Sequence, residues 1–211
     1  MIQFTKHENL NMIQYFAFPT NIFLEDNFID KSISNEMKKY IEHLWRERTY
    51  DNNWQTNPDL HTKPAFKEFS KKIIQRCKEQ IELLGYDVED IAITDMWGNV
   101  IQNKEAHPPH THSNNFLSGV YYLHSDKAAG IQFIDARPSA DVIVPRKKEK
   151  NELNSNLLEF ASQANRAIFF PSWLQHWVPQ NISNNKRISI AWNVQLKGEV
   201  GEHNEYQSAT F

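Results

Sequence analysis

Hydrophobic residues recur at helical spacing in two segments of the N-terminal third of the chain. In SISNEMKKYIEHLWRER, residues 32–48, apolar side chains stand three or four positions apart and would share one face of a helix. They are Ile33, Met37, Ile41, Leu44 and Trp45. A second stripe has Thr62 as an N-cap candidate, Pro64 near its first turn and Gly85 at its exit. This stripe consists of Phe66, Phe69, Ile73, Cys77, Ile81 and Leu84. We therefore predict two helices whose apolar faces pack against another layer.

From about residue 88 the pattern changes to short apolar or β-branched runs between turn residues, which indicates strands. The runs are DIAITDMWGNVIQ (90–102), NFLSGVYYLH (115–124), GIQFIDA (130–136), DVIVP (141–145), RAIFFPS (166–172) and RISIAWNVQL (187–196). Six short strands without long helices between them favour an antiparallel sandwich or barrel over a parallel α/β sheet. The charged segment 146–156, RKKEKNELNSN, predicts a solvated loop between strands.

The length and composition fit one globular domain. A chain of 211 residues with 40% hydrophobic and 12% aromatic residues is long enough for one buried core. We expect a single domain over 1–211, with a helical support region (1–87), a β core (88–198) and a C-terminal tail (199–211). The net charge of -3 gives no electrostatic reason to expect a nucleic acid or an anionic membrane as partner.

The single cysteine and the absence of long apolar runs bear on the compartment. One cysteine, Cys77, excludes an intramolecular disulfide and a thiolate zinc cluster, so a reducing compartment fits best. Its place on the second apolar stripe is typical of a small core residue. We recognise no signal peptide, and no run approaches the about 20 apolar residues of a membrane span. We therefore expect a cytoplasmic protein.

Three histidines crowd into the sequence HPPHTH, directly before the predicted strand NFLSGVYYL. In an extended segment, residues two apart project to the same side, so His110 and His112 could offer ring nitrogens to one ion. The best remote third donor is His176, because an imidazole without a partner would be costly to desolvate in the aromatic segment FFPSWLQHWVPQN. This combination predicts a transition-metal site.

An arginine and a serine follow at alternate positions of the last predicted strand. Arg187 and Ser189 would point the same way in RISIAWNVQL. A guanidinium inside such an apolar strand needs an anion, and its planar fork matches a carboxylate. The anion could be a carboxylate of the protein itself. Beside a metal site, however, the pair indicates a dicarboxylate ligand.

The order His-x-His, SGVYYL, FPSWLQH and RIS resembles the 2-oxoglutarate- and iron(II)-dependent oxygenases. Within them it is similar to the small prolyl-4-hydroxylase-like group of marine bacteria and phages. The resemblance covers roughly residues 90–196 and implies a mainly β fold with N-terminal helices. The β core would be a double-stranded β-helix, also called a jelly roll or cupin-like fold, supported by the α-helices.

The resemblance also implies roles for individual residues. His110 would be the first iron(II) ligand and His176 the distal one, while Arg187 and Ser189 would hold the far carboxylate of 2-oxoglutarate. Tyr122 would donate its hydroxyl to the same carboxylate, with Tyr121 facing the other side of the strand. The preceding strand would supply Asn99 and Trp97 as pocket walls.

The third ligand departs from the usual pattern of the superfamily, which has a carboxylate where this chain has His112. A three-histidine face would leave the charge of iron(II) to be neutralised by the co-substrate. In an alternative register His112 is the first ligand and Asn114 the third. An imidazole is the better ligand for iron, which favours the histidine pair. Asp135 is another carboxylate candidate, although its position before Ala-Arg-Pro is typical of a turn.

The expected function is oxidation of a C–H bond with dioxygen, iron(II) and 2-oxoglutarate, which releases succinate and carbon dioxide. The substrate would be a small molecule or a peptide, with a prolyl residue suggested by the resemblance alone. Two alternatives remain: a three-histidine cupin-like dioxygenase that needs no 2-oxoglutarate, and a non-catalytic jelly roll that binds a sugar or peptide. The aromatic residues Phe169, Phe170, Trp173 and Trp177 would wall the site, or belong to the plain core of the barrel.

Overall fold

The computed structural model describes residues 4–7, 12–126, 129–137, 142–202, 204 and 206–211, the first of these ranges by its backbone alone. The strands of these ranges are β1 Phe4–His7, β2 Met12–Tyr15, β3 Phe23–Asp26, β4 Trp54–Gln55, β5 Asp90–Ile101, β6 His107–His110, β7 Leu117–His124, β8 Ile131–Ile134, β9 Leu157–Phe160, β10 Arg166–Pro171, β11 His176–Val178, β12 Arg187–Lys197, β13 Glu199–Val200 and β14 Ala209–Thr210. The helices are α1, Lys31–Arg46, and α2, Lys67–Leu83.

Two antiparallel sheets form the β core. The larger has the strand order β3-β10-β7-β12-β5-β4, and the smaller has the order β6-β11-β8-β9. Their facing surfaces share one buried cluster, in which Tyr122 and Phe170 of the large sheet pack with Phe133 of the small sheet. This is the predicted double-stranded β-helix.

The two helices cover the outer face of the large sheet. The even-numbered residues of β12, from Ile188 to Leu196, join the buried cluster that includes Met37 and Ile41 of α1 and the stripe of α2. The odd-numbered residues of β12 therefore face the space between the sheets, because side chains alternate along a strand. The predicted helical stripes are confirmed, and Cys77 is a buried core residue.

Gly119, in the middle of β7, allows Trp192 to pack directly against this strand. A Cβ atom at this position would lie 2.2 Å from Cζ2 of Trp192 and 2.8 Å from the carbonyl oxygen of Ile168. Trp192 is fully buried and packs edge-on against Phe69 of α2 and Phe169 of β10. The glycine of the SGVYYL segment therefore makes room for the tryptophan that joins sheet and helix.

Two predictions about local structure were wrong. The N-cap of α2 is Phe66 and not Thr62, because two short 3-10 turns, Leu60–Thr62 and Pro64–Phe66, precede the helix. Of the segment 141–145, the structure describes 142–145, which form no strand; Val142, Ile143 and Val144 are exposed at 78%, 80% and 61%.

The neighbouring segment 146–156 is the predicted surface loop. None of the helices in the described ranges is long and apolar enough to cross a membrane.

Candidate active site

Three histidines converge in the space between the two sheets. His110 on β6 and His176 on β11 are cross-strand partners, and His112 lies just after the end of β6. Each offers a ring nitrogen, and these atoms all lie within 4.8 Å of one another. Nε2 of His112 is 3.3 Å from Nε2 of His176. Two imidazole nitrogens bound to one metal at about 2.0–2.1 Å lie about 2.9–3.4 Å apart, so the arrangement fits a shared ion.

Two backbone carbonyl groups fix the tautomers of this cluster. Nδ1 of His110 is 2.8 Å from the carbonyl oxygen of Pro108, and Nδ1 of His176 is 2.8 Å from that of Leu174. A carbonyl oxygen can only accept, so Nδ1 carries the proton in both rings and Nε2 keeps its lone pair. Such outer contacts orient metal-binding histidines in proteins.

The electrostatic environment keeps the imidazoles of His112 and His176 neutral. Burial, with a smaller contribution from the neighbouring histidines, lowers the pKa of His176 to about 3 and that of His112 to about 4. A nearby carboxylate, Asp95, acts in the opposite direction on the pKa of His112. Neutral imidazole is the form that binds a metal, so the cluster is ready to bind one near neutral pH.

A second group of polar side chains lies on the inner face of the large sheet. Arg187 is 3% exposed, and no carboxylate of the described residues forms an ion pair with it. Nε of Arg187, the hydroxyl of Tyr122 and the hydroxyl of Ser189 are all buried without a hydrogen-bond partner in the described part of the chain. Ser189 pairs with Tyr122 on one side and with Asn99 on the other. We call these four residues the anion pocket.

The anion pocket fits a carboxylate. The guanidinium carbon of Arg187 lies 4.9 Å from the centre of the Tyr122 ring, and Ser189 is the cross-strand partner of Tyr122, so the three side chains share one region of the inner face. A buried cation with no counter-ion and two unsatisfied hydroxyl groups is costly, and an anionic ligand would satisfy all three. Oδ1 of Asn99 accepts a hydrogen bond of 2.8 Å from Nε2 of Gln55, which leaves the amide N–H groups of Asn99 as donors.

The aromatic surroundings confirm two predicted walls and exclude two others. Phe170 lies 4.7 Å from His176 between ring centroids, and Phe133, which the sequence did not indicate, lies 5.8 Å from it. Phe169 points to the opposite side of β10 and packs in the helix-side core, because neighbouring residues of a strand face opposite ways. Trp173 is 57% exposed and walls nothing. The ring of Trp97 lies 5.7 Å from that of His112, at the predicted position.

The alternative ligands lie elsewhere. Asn114 is an exposed turn residue with φ of 63°, and its carbonyl oxygen accepts from Gln195. Asp135 binds Arg137 through both carboxylate oxygens, as a residue of the turn after β8. Asp135 does not belong to the group of side chains that can share an ion, whereas His112 does. The structure therefore favours His112 as the third donor.

Residues 95–193 match a family model described as "Putative 2OG-Fe(II) oxygenase". The match begins in β5 and ends in β12, so it includes all three histidines and the anion pocket. Over these residues the chain is similar to the 2-oxoglutarate- and iron(II)-dependent oxygenases. The predicted resemblance is thus confirmed, and with it the enzyme class and the set of iron(II), 2-oxoglutarate and dioxygen.

Solved structures of other oxygenases have the same fold. HygX from Streptomyces hygroscopicus, with nickel and 2-oxoglutarate bound, is 12% identical with a TM-score of 0.59, and the alignment covers 83% of each chain. A prolyl-4-hydroxylase of Pseudomonas putida is 12% identical with a TM-score of 0.59 and coverage of 85% of this chain and 89% of that one. The viral collagen prolyl hydroxylase of Paramecium Bursaria Chlorella virus-1 is 13% identical with a TM-score of 0.53, over 82% and 94% of the two chains.

The fold is shared at these low identities, whereas the chemistry of the site rests on the side chains described above. None of the curated proteins is significantly similar in sequence to this oxygenase.

Two titratable residues of the site were given no role from the sequence. His107 on β6 is partly buried, and its pKa is lowered to about 4 by burial and then by the charges of Arg187 and His110. Asp95 on β5 is close enough to His112 to influence it. The crowding of HPPHTH pointed to His107, but Asp95 carried no signal in its strand.

Proposed function

We propose that this oxygenase hydroxylates a C–H bond, with His110, His112 and His176 as its iron(II) ligands. The anion pocket of Arg187, Tyr122, Ser189 and Asn99 would bind the far carboxylate of 2-oxoglutarate. One observation carries the proposal. Three buried polar atoms of the anion pocket have no partner among the described residues, and they lie between the same two sheets as three histidines whose ring nitrogens could bind one ion. A metal-bound dicarboxylate would use both groups at once.

Iron(II) with bound 2-oxoglutarate and dioxygen supplies the oxidising chemistry, in which a C–H bond becomes C–OH while 2-oxoglutarate becomes succinate and carbon dioxide. The chain contributes binding and orientation. Arg187 neutralises and orients the far carboxylate through its planar fork, and Tyr122 and Ser189 donate hydroxyl protons to it. Phe133 and Phe170 exclude water beside His176, which favours reaction of the substrate over side reactions.

The three ligands of the proposed iron site carry no charge, which separates it from a site with a carboxylate ligand. The double positive charge of the ion then remains for 2-oxoglutarate to neutralise. This gives a physical reason for tight binding of a dianionic co-substrate. The family match supports this function over an oxygenase independent of 2-oxoglutarate and over a non-catalytic binding module.

The proposed substrate is a small molecule or a peptide. A prolyl residue as the substrate is supported by the resemblance of the SGVYYL and FPSWLQH segments and by the fold shared with two prolyl hydroxylases.

We also keep the single domain over 1–211 as a proposal, supported by the packing of α1 and α2 on the β core. A reducing compartment such as the cytoplasm is supported by the buried, unpaired Cys77.

The decisive experiment is an anaerobic titration of the apo-protein with iron(II) and then with 2-oxoglutarate, followed in the visible range. A weak charge-transfer band that saturates at one equivalent of each is the expected result, because only a 2-oxoacid bound to the iron produces it. Binding of iron without the band would contradict the co-substrate site. Failure to bind iron would contradict the three-histidine centre.

A further inference from the structure

A row of polar side chains crosses the inner face of the large sheet at the end far from the anion pocket. Asp95 on β5, Asn193 on β12 and Ser118 on β7 are cross-strand neighbours. Ser118 donates to Oδ1 of Asn193 over 2.9 Å, and Nδ2 of Asn193 donates to Asp95 over 3.4 Å. Behind them, Ser118 and Ser172 share a hydrogen bond of 2.7 Å. The row therefore ends at the carboxylate of Asp95.

A β-bulge turns Asp95 inward. The register of β5 and β12 shifts between Asn193 and Val194, so that Thr94 is an extra residue opposite this step. Ile91 and Ile93, before the bulge, belong to the helix-side core, whereas Asp95 and Asn99 face the site. Without the bulge, the alternation that places Asn99 inside would also place Ile93 inside.

Asp95 has no cationic partner among the residues that the structure describes. Among these residues, the only hydrogen bond to the carboxylate of Asp95 is the long one from Asn193. The residue is half-buried, so a ligand can reach the carboxylate. Arg187 pairs with Ile101, six positions further along β5, which corresponds to about 20 Å of strand. The cation of the anion pocket is therefore too far away to neutralise Asp95.

The histidine cluster lies between these two charges. The ring of His112 lies 5.7 Å from that of Trp97, two positions after Asp95 on β5, whereas Arg187 pairs with Ile101, four positions after Trp97. Along β5, the Asp95 side and the 2-oxoglutarate side therefore lie to either side of the place where the histidine cluster meets the strand. An aromatic ring completes the Asp95 side, because Trp97 faces inward two positions later and contacts His112.

We propose that Asp95 and Trp97 form a subsite for a positively charged ammonium group of the substrate. This inference rests on the proposed function, since it takes the histidine cluster as the iron centre. A half-buried carboxylate without a counter-ion attracts a cation, and the face of a tryptophan ring adds a cation–π contact. The ammonium group could belong to a free amine or to a basic residue of a peptide. In a prolyl peptide, the subsite would bind a basic residue near the proline.

The test uses the full chain loaded anaerobically with iron(II) and 2-oxoglutarate, and two matched pairs of probes. The first pair is n-butylammonium and 1-butanol, which differ in charge and hardly in shape. The second is acetyl-glycyl-prolyl-lysine amide and its norleucine counterpart, which distinguishes a peptide ligand from a free amine. Binding is followed by the shift of the charge-transfer band and by tryptophan fluorescence.

The expected result is that at least one cationic probe binds about tenfold more tightly than its neutral partner, as a charge-assisted contact would give. Asp95→Asn, which keeps the size and the contact with Asn193, should remove this preference, and Asp95→Glu should keep part of it. Equal binding within both pairs in the wild type would overturn the subsite without any variant. A preference that survives Asp95→Asn would also overturn it. The band itself, formed before any probe is added, tests the iron and 2-oxoglutarate sites separately.

Discussion

His110 on β6 and His176 on β11 stand directly opposite one another in the small sheet, with their ring centroids 4.4 Å apart. Residues in this position project from the same face of a sheet. The main chain of His112 then donates to the carbonyl oxygen of Ser172 over 2.9 Å, which fixes the third ring beside the pair. The proposed iron site is therefore built by the pairing of two short strands that are far apart in sequence.

Replacement of His176 by alanine should abolish stoichiometric iron binding. The buried ring is one of only three donors in the described cluster, and two imidazoles hold a divalent ion weakly. The loss of affinity should exceed the 10–100-fold or so that removal of an outer-sphere partner costs. Equilibrium dialysis with iron(II), followed by metal analysis, measures it.

His43→Ala is the matched control, because His43 is exposed on α1, away from the cluster. Its iron stoichiometry should equal that of the wild type. Full iron occupancy of His176→Ala would remove this residue from the metal site and leave the proposed centre without its distal ligand.

Replacement of Arg187 by lysine should weaken 2-oxoglutarate and leave iron bound. Lysine keeps the charge but not the planar fork that matches a carboxylate. We expect a loss of at least about tenfold for lysine, and of about 30-fold or more for alanine, because a buried charged contact is worth about 2 kcal/mol or more. The concentration of 2-oxoglutarate that half-saturates the charge-transfer band gives the affinity.

The same substitution at Arg76 is the control, since Arg76 lies on α2 and binds Glu25 and Glu79 on the far side of the large sheet. Arg76→Lys should leave the affinity for 2-oxoglutarate unchanged. If Arg187→Lys also binds 2-oxoglutarate like the wild type, the carboxylate is held elsewhere.

The helices and the long strands could be predicted from the sequence because each has a strong local pattern. The apolar stripe of α2 and the alternation in β12 are visible over many residues. The strand β6 could not be found, since HPPH has two prolines and no apolar residue, and β9 has only four residues. The segment containing Val142 and Ile143 shows the opposite error, because apolar residues there lie on the surface.

The residues of the site likewise fall into those that have a local sequence signal and those that have none. His110 and His112 stood out because residues two apart in an extended segment share one side. His176 and Arg187 stood out because an imidazole and a cation in apolar segments need partners, and Ser189 because it alternates with Arg187. Asp95 did not, because its orientation depends on a bulge that shifts the alternation of β5, and a bulge leaves no mark in an otherwise regular strand. Phe133 was missed because its contact with His176 is between strands distant in sequence.

The stability of the apo-protein should fall as the pH is lowered from about 6.5, the ordinary pKa of histidine. Burial lowers the pKa of His112 to about 4 and that of His176 to about 3 in the folded state. Between these values and 6.5 the unfolded chain takes up protons that the folded chain does not, so protonation favours unfolding. Urea midpoints measured between pH 7 and pH 4 should therefore decrease steadily.

A variant identifies the groups responsible. His176→Ala should show a smaller decrease in the urea midpoint over this range, because it lacks one of the histidines whose pKa is lowered by burial. His43→Ala should follow the wild type. Identical slopes in all three proteins would mean that the buried histidines do not cause the pH dependence.

Gly119→Ala should destabilise the fold strongly. The added methyl group would overlap the ring of Trp192 and the carbonyl oxygen of Ile168, and neither can move easily within the packed core. Overpacking of this kind costs about 3 kcal/mol in the free energy of unfolding when the neighbours are rigid. The comparison is Gly98→Ala on β5, where the new Cβ meets the end of the Ile41 side chain at 2.7 Å, which can change its rotamer. Urea denaturation should give a loss for Gly98→Ala of about 1 kcal/mol. Equal losses for the two variants would show that the contact between Gly119 and Trp192 does not limit the packing of β7 against β12.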